Sequence, residues 1–287
     1  MIHTHIAGPS GILKEYIQSF ELKAFDTLNE VIKKPCHAFH EVLISLIIDS
    51  KKPLFEPVCE QISSYFCDPS KAPFSGVMGI QSNMKGFFVY QGRFKIFIIH
   101  FKPTGFSSIF QLPASLIFDQ FLDAGEFFKN ELEVLHAQFH EKVNFSDMVN
   151  LSERFLEKKL ATNRHLWKNE SIKKASNFLI REPNALSIQQ LAYHSNMTLK
   201  TFERNFIGLV GIPPKLFTRI RRFNQALELK HYHEKLSWLD VCLKTGYFDL
   251  MHLNKDFKAF SGNSPASFFK RHFIYMKNSA SKPNTTL

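Results

Sequence analysis

The sequence of 287 residues predicts an α+β N-terminal domain followed by an all-α C-terminal domain of about seven helices, in which two helix-turn-helix motifs are joined by a long helix. Three observations predict this fold class. The first half contains β-branched and aromatic runs that end at turn residues, as buried strands do. The last part of the chain has apolar residues at helical spacing, with prolines at helix ends or first turns. A segment of that helical part recurs at a shift of 51 residues, which indicates a duplicated unit.

The strand predictions come from the first 103 residues. Residues 39–49 (FHEVLISLIID) and 92–103 (GRFKIFIIHFKP) are apolar runs of strand length, and strand-like patches separated by glycines lie within 76–90. After Pro103 the spacing becomes helical. Short helices are expected in TGFSSIFQLP and ASLIFDQFLD, and longer amphipathic helices over 126–140 and 144–160, the second capped by Asn144 or Ser146.

A polar stretch near 161–169 marks the predicted domain boundary. It divides the chain into a regulatory or effector-sensing domain (1–161), a helical domain (162–275) and a polar tail (276–287) that we expect to be disordered. Seven helices are predicted beyond the boundary: 171–181, 187–194, 198–210, 213–231, 237–245, 249–260 and 265–272.

Charge is segregated between the two halves. Residues 1–160 carry 16 Lys and Arg against 18 Asp and Glu, whereas residues 161–287 carry 20 against 8, so the net charge of +10 comes from the C-terminal part. A polyanion is attracted to such a surface. The four cysteines have no framework spacing and no apolar run spans a bilayer, so we expect a reducing cytoplasm and no membrane.

The repeat has the form of a short helix, a tight turn, a second helix and a Gly-x-x-Pro stop. The shift of 51 pairs Thr198 with Asp249, Phe206 with Phe257, Gly211 with Gly262 and Pro214 with Pro265, while upstream a shift of 50 pairs Ser187 with Ser237. The second turn therefore contains one extra residue. Two helix-turn-helix copies in a basic segment indicate a device that reads DNA.

The second helix of each copy has an inward and an outward face. Stepping 100° per residue places Phe202, Phe206 and Leu209 in one core arc, and Leu253, Phe257 and Phe260 in the other. Thr198 and Asp249 suit the N-cap. The predicted DNA-binding residues are Lys200, Thr201, Glu203, Arg204, Arg221, Met251, His252, Asn254 and Lys255.

These outward residue types match the edges of bases. Arg204 suits guanine O6 and N7, Asn254 suits adenine, and Glu203 suits cytosine N4. Met251 and the methyl of Thr201 suit a thymine methyl. The connector helix over 213–231 is about 28 Å long, close to the spacing of about 34 Å between adjacent major grooves on one side of a duplex.

The connector also carries Arg219, Arg221 and Arg222, which are candidates for phosphate contacts. We expect one of the three to form an internal ion pair instead.

The segments SIQQLAYHSNMTLKTFERNF, GIPPKLFTRIRRFNQAL and GYFDLMHLNKDFKAFSGNSPASFF resemble the AraC/XylS family of bacterial transcription regulators across its DNA-binding domain of roughly 100 residues. The signature is carried by Gly246, Tyr247, Asp249, His252, Leu253, Phe257, Lys258, Gly262, Ser264 and Pro265. The resemblance implies that both recognition helices bind one DNA site, with promoter or operator DNA and RNA polymerase as partners and a possible homodimer. Because His252 belongs to the signature, a framework or backbone role is an alternative to base reading.

Three departures from the family pattern affect individual residues. Asn196 replaces the usual glycine of the first turn, and asparagine tolerates left-handed geometry. Cys242 replaces a usual alanine, which is consistent with a core position. The acidic Glu203 and Asp256, on or near the reading faces, are unfavourable to DNA and make base reading by Glu203 doubtful.

The N-terminal half resembles the uncharacterised domain that precedes this DNA-binding domain in many family members, through FKPTGFSSIFQLP (101–113) and the early strand region. This resemblance implies a regulatory role, with a small-molecule effector as a candidate partner. The helical content after Pro103 argues against the sugar-binding barrel of other members.

Two other classes of function stay open at this point. One is an enzyme or DNA-repair protein whose N-terminal half is catalytic and whose basic half localises it on DNA. The other is an architectural DNA binder without sequence preference. We expect no enzyme, cofactor or metal, because Cys36, His37 and His40 lack convergent partners with ligand spacing and no phosphate-binding glycine loop is present.

Overall fold

The computed structural model describes residues 2–48, 53–58, 75–128, 131–141, 143–162 and 170–270. Within them the N-terminal part is rich in strands and the C-terminal part is helical, so the predicted α+β and all-α fold class is confirmed. In the same residues, no helix is long and apolar enough to cross a membrane. The predicted boundary near 161–169 falls at the end of a helix that extends to Thr162, and its residues 163–169 lie outside the described residues, as does the predicted tail at 276–287.

The N-terminal part contains two antiparallel sheets. Nine strands are found in its described residues: β1 (Ile2–Ala7), β2 (Ile17–Asp26), β3 (Ile32–Cys36), β4 (Leu43–Ile47), β5 (Leu54–Pro57), β6 (Ser75–Met78), β7 (Gly86–Tyr90), β8 (Arg93–Phe101) and β9 (Phe121–Asp123). The larger sheet has the order β1-β2-β8-β4-β6-β9, and the smaller has the order β3-β7-β5. The predicted strands at 39–49 and 92–103 are confirmed as β4 and β8. The strand-like patches between Gly76 and Tyr90 correspond to β6 and β7.

Four helices follow the sheets: α1 (Gly105–Phe110), α2 (Ala124–Phe128), α3 (Glu131–Phe139) and α4 (Phe145–Thr162). Two predictions for this region were wrong. The segment ASLIFDQFLD forms a 3₁₀ turn and then β9, because Phe121 to Asp123 pair with β6 at the edge of the larger sheet. The single helix predicted over 126–140 is two helices, the first of which starts where the Asp123 carboxylate accepts from the Gly125 N–H.

Asn144 begins α4. Its side-chain oxygen accepts from the backbone N–H of Asp147 at 3.0 Å, and the Asp147 carboxylate accepts in return from the Asn144 N–H. This reciprocal arrangement pairs two N–H groups that a helix start otherwise leaves unsatisfied. Of the two predicted caps, Asn144 is the one used.

The C-terminal helices are α5 (Glu170–Arg181), α6 (Ile188–His194), α7 (Leu199–Val210), α8 (Pro214–Tyr232), α9 (Trp238–Lys244) and α10 (Leu250–Ser261), and residues 265–270 are also helical. Each lies within two residues of a predicted helix over the described range. The connector predicted at 213–231 is α8.

One hydrophobic core runs through both parts of the chain. The same cluster of buried residues includes Phe97 of β8 and Phe106 of α1 together with Phe206, Phe223 and Phe257 of the C-terminal helices. Phenylalanine rings make edge-to-face contacts throughout this cluster, which suits the high content of 31 phenylalanines. The helical part therefore packs directly on the N-terminal part.

Candidate nucleic-acid interface

The two helix-turn-helix units begin in the same way. Ser187 accepts from the Gln190 N–H at the start of α6, and Ser237 accepts from the Asp240 N–H at the start of α9. In both cases the side chain of the third residue accepts from the serine N–H, so each helix has a complete capping box. The recognition helices α7 and α10 are capped by Thr198 and Asp249, as predicted.

The turns of the two units differ by one residue. Asn196 has φ 52° and Gly246 has φ 69°, so both occupy the left-handed region, as predicted for Asn196. The next residues also correspond, because the Met197 N–H donates to Ala192 O and the Tyr247 N–H donates to Cys242 O, each at 3.0 Å. Phe248 then stands before the cap of α10 without a counterpart in the first unit, so Phe248 is the extra residue.

The recognition helices also end alike. Gly211 and Gly262 are the left-handed caps of α7 and α10, with φ 104° and φ 70°. Gly211 is favoured for a second reason, since a Cβ there would lie only 3.0 Å from the backbone oxygen of Ala114 in the N-terminal part.

The inward and outward faces agree with the helical-wheel prediction. Phe202, Phe206, Leu253 and Phe257 are fully buried. The outward residues are exposed at Lys200, Arg204, Met251, His252, Asn254 and Lys255, and half-buried at Thr201 and Glu203. Of the predicted DNA-binding residues, four are therefore exposed on α10 and two on α7.

The three connector arginines all bind inside the protein, although one internal ion pair was predicted. Arg219 donates to the Asp256 carboxylate at 2.7 Å. Arg221 donates from Nε to the carbonyl oxygen of Ile180 at 2.9 Å and from Nη1 to Glu228 at 3.1 Å. Arg222 lies over the ring of Tyr247. The bonds of Arg221 to Ile180 and Glu228 disfavour its predicted contact with phosphate.

Asp256 does not lie on the exposed face of α10, although its helical position placed it on or near that face. The residue is buried, and its carboxylate accepts from Arg219 and from the hydroxyl of Tyr247. Its charge is therefore paired inside the domain and joins α10 to α8. The sequence offered one usable signal for this pair, the arginine-rich side of the connector helix.

His252 combines exposure with a framework contact. Its ring Nδ1 lies 2.8 Å from Oδ1 of Asp249, the same oxygen that accepts the His252 backbone N–H and so caps α10. The contact holds the ring beside the start of the recognition helix. This geometry agrees with the framework alternative stated for this residue.

Comparison with known proteins identifies the domain that carries these features. A family profile described as a helix-turn-helix domain, of AraC type, matches residues 191–271. The chain carries an AraC-type helix-turn-helix domain. The match covers both turns, both recognition helices and the connector, and it supports a DNA-binding transcription regulator.

Among solved structures, the whole chain is similar to ToxT from Vibrio cholerae O395, with 8% identity, a TM-score of 0.45 and coverage of 97% of this chain and 99% of that chain. Wild-type ToxT from V. cholerae strain SCE256 with bound unsaturated fatty acid is 9% identical, with a TM-score of 0.44 and coverage of 87% and 94%. The AraC-like transcriptional activator CuxR is 11% identical, with a TM-score of 0.22 and coverage of 79% and 87%. No curated protein matches the chain.

The N-terminal part binds the end of each recognition helix of the AraC-type domain. The hydroxyl of Ser107 in α1 donates to the carbonyl oxygen of Leu209 at 2.8 Å. The backbone N–H of Ala38 donates to the carbonyl oxygen of Phe260 at 3.0 Å. Leu209 and Phe260 are equivalent positions of the repeat, separated by 51 residues. Both bonds satisfy carbonyls in a last helical turn, where partners inside the helix are lacking.

A second contact joins the N-terminal part to α8. Asn224 is buried and its side-chain N–H donates to Ala38 O at 3.0 Å. Since that carbonyl can only accept, the amide oxygen of Asn224 must face His40, whose Nδ1 lies 2.7 Å away and donates the proton. Burial lowers the pKa of His40, which suits a neutral ring in this bond.

His40 adjoins a charged cluster on the larger sheet. His100 lies between the carboxylates of Glu21 and Glu41, at 3.1 and 2.9 Å. Burial opposes its charge, but the hydrogen bonds to the two carboxylates outweigh burial and raise the pKa of His100 to about 9. Burial likewise acts to raise the pKa of both carboxyl groups, and the bonds from His100 overcome it and lower each pKa to about 2. In the described residues, no group of three His, Cys, Asp or Glu side chains could hold a metal ion.

Proposed function

We propose that this protein is a sequence-specific transcription regulator that places α7 and α10 in adjacent major grooves of one DNA site. The observation that carries the proposal is the pair of equivalently capped recognition helices in the AraC-type domain, joined by the rigid connector α8. The 19 residues of α8 extend about 28 Å, and adjacent major-groove faces are about 34 Å apart.

The exposed outward residues supply the proposed contacts. Arg204 is the principal candidate for guanine on α7, with Lys200 beside it, and Asn254 and Lys255 contribute the polar contacts of α10. We leave Arg221 out of the DNA contact because its guanidinium is bound by Ile180 and Glu228. Glu203 and Thr201 are secondary candidates, since both are half-buried.

We also propose that the N-terminal part modulates DNA binding through the two equivalent bonds to Leu209 and Phe260. These bonds hold the ends of both recognition helices against the N-terminal part. A change in the N-terminal part, for example on binding a small-molecule effector, that shifts α1 relative to Ala38 alters the relative placement of α7 and α10. Contact with RNA polymerase and self-association stay predictions.

The test begins with selection of binding sites from a random pool of duplex DNA, followed by mobility-shift titration of the selected site and of single-base variants. We expect Arg204→Ala to relax the preference at one or two guanine positions, because a lost bidentate contact costs about 1–3 kcal/mol of discrimination. Lys158→Ala is the matched control, since it also removes one exposed positive charge but lies on α4 of the N-terminal part.

Two outcomes contradict the proposal. Affinity that falls with salt but is equal for all sequences indicates an architectural DNA binder. An equal loss of affinity by Arg204→Ala on every sequence removes the base-reading role of that residue.

A further inference from the structure

The second helix-turn-helix unit exposes an apolar strip around the start of α10. Phe248 is 88% exposed, Met251 is 73% exposed and Leu250 is 37% exposed. The first unit differs at two of these places, because Phe248 is the extra residue and Met251 corresponds to the charged Lys200, whereas Leu250 corresponds to Leu199. Large exposed apolar side chains that lie together indicate a binding surface.

The strip lies where a recognition helix reads bases. In helix-turn-helix proteins the N-terminal residues of the second helix contact base edges in the major groove. Asp249 caps α10 within the strip and thereby fixes the direction of its first turn. The ring of Phe248 packs edge-on against His252, with centroids 6.0 Å apart, and His252 is itself bound to Asp249. These contacts restrain the backbone that carries the apolar side chains of the strip.

The charges around the strip favour DNA as its occupant over a protein. Lys244, Lys255 and Lys258 are exposed on α9 and α10. The acidic residues of these elements are engaged in the fold, since Asp256 is buried against Arg219, Asp249 caps α10 and Asp240 belongs to the capping box of α9. An apolar strip accompanied by exposed cations on the same helices fits the floor of a major groove, where thymine C5-methyl groups lie between phosphate backbones.

We propose that the second unit selects thymine-containing base pairs through van der Waals contact of Phe248, Leu250 and Met251 with thymine C5-methyl groups. This inference rests on the proposed function, because it assigns a base preference to one half of the DNA site. The two halves of that site then differ in chemistry, with guanine read by Arg204 of α7 and thymine methyls read by α10.

Methyl removal from the DNA tests the contact directly. The selected site is footprinted to locate the half bound by α10, and each thymine there is replaced by deoxyuridine, which pairs identically but lacks the methyl group. We expect one or two replacements to weaken binding by the wild-type protein about threefold to fourfold each, the effect of exposing one buried methyl group.

A double-mutant cycle assigns the contact to a side chain. Met251→Ala and Phe248→Ala are expected to weaken binding to DNA that contains thymine. The affinity of each variant is expected not to change further when deoxyuridine replaces thymine at the position that the removed side chain contacts. Val134→Ala, which truncates an exposed apolar side chain of α3, is the matched control and keeps the full response to deoxyuridine. Thermal melting confirms that each variant is folded, as expected for exposed positions.

Deoxyuridine replacement without effect in the α10 half overturns the inference, and so does an equal effect on the wild type and on both variants. Variants that keep their DNA affinity but lose binding to RNA polymerase or to a second copy of the chain also overturn it, and identify the strip as a protein contact. Failure of the random pool to yield any preferred sequence refutes the proposed function itself. A preferred sequence without sensitivity to thymine methyls refutes this inference alone.

Discussion

Ser107→Ala tests the bond between the N-terminal part and the first recognition helix. Ser107 is fully buried, and its hydroxyl is used twice. It donates to Leu209 O at 2.8 Å and accepts from the backbone N–H of Ala114 at 3.1 Å. Alanine removes only the oxygen, so the backbone groups of Leu209 and Ala114 lose this partner in an interior that water does not reach.

The expected cost follows from those two groups. A buried donor or acceptor that loses its partner costs about 1–3 kcal/mol, so the loss of two such partners is expected to lower the free energy of unfolding by about 2–6 kcal/mol. In a large domain each kcal/mol corresponds to a fall in melting temperature of roughly 2–4 °C. Because alanine favours helix slightly more than serine, by about 0.5 kcal/mol, the observed loss falls towards the lower end.

Ser108→Ala is the control that removes the propensity effect, since it makes the same change one residue later in the same helix at a half-buried position. Chemical unfolding of the full chain gives the free-energy difference between the two variants. Hydrogen exchange gives the local effect, and the Gly211 amide, which closes α7 by donating to Ile207 O at 2.8 Å, is expected to exchange faster in Ser107→Ala alone. Equal stability and equal exchange in the two variants refute the reasoning.

Two further predictions concern a turn and a pH dependence. Asn196→Ala is expected to lower the free energy of unfolding by about 1–2 kcal/mol, because alanine tolerates the left-handed conformation at φ 52° poorly. Asn196→Gly is expected to be as stable as the wild type. Equal losses of stability for the two variants in urea titrations contradict this prediction. Because the pKa of His100 is raised, its contribution to stability is complete below pH about 6.5 and is lost as the pH rises through about 9. Because the pKa values of Glu21 and Glu41 are lowered, their contribution is complete above pH about 4.5 and is lost as the pH falls through about 2. The melting temperature of the wild type is therefore expected to exceed that of His100→Gln most between pH about 4.5 and 6.5 and to converge on either side, and a difference independent of pH refutes the cluster.

The C-terminal helices were predictable because their signals are local. Thr198 and Asp249 start the recognition helices, Gly211 and Gly262 end them, and Asn196 adopts the left-handed turn conformation. Each of these roles depends on the residue itself and on neighbours within one helical turn. The inward arcs were predictable for the same reason, because helical periodicity alone decides which residues share a face.

The N-terminal part was less predictable. The segment 121–123 has apolar residues at a spacing compatible with a helix, yet it forms β9 because β6 offers it an edge with which to pair. Strand formation depends on such distant partners, and the residues of β6 lie more than 40 positions away in the sequence. The predicted DNA-binding residues were inferred from the outward face of each helix. The binding of Arg219, Arg221 and Arg222 inside the domain could be seen only from the positions of α5, α10 and the turn that precedes α10.

The sequence by itself determined the duplicated unit, its helix limits and the residues that each recognition helix turns outward, because capping and periodicity act within a few residues. Only the tertiary structure showed that Ser107 and Ala38 bind equivalent carbonyls of the two recognition helices, that Asn224 bonds across to His40, and that Phe248 stands exposed beside α10. These contacts join groups that are far apart in the chain, such as His40 and Asn224, which are separated by 184 residues. Their existence depends on how whole elements pack, which no local pattern encodes.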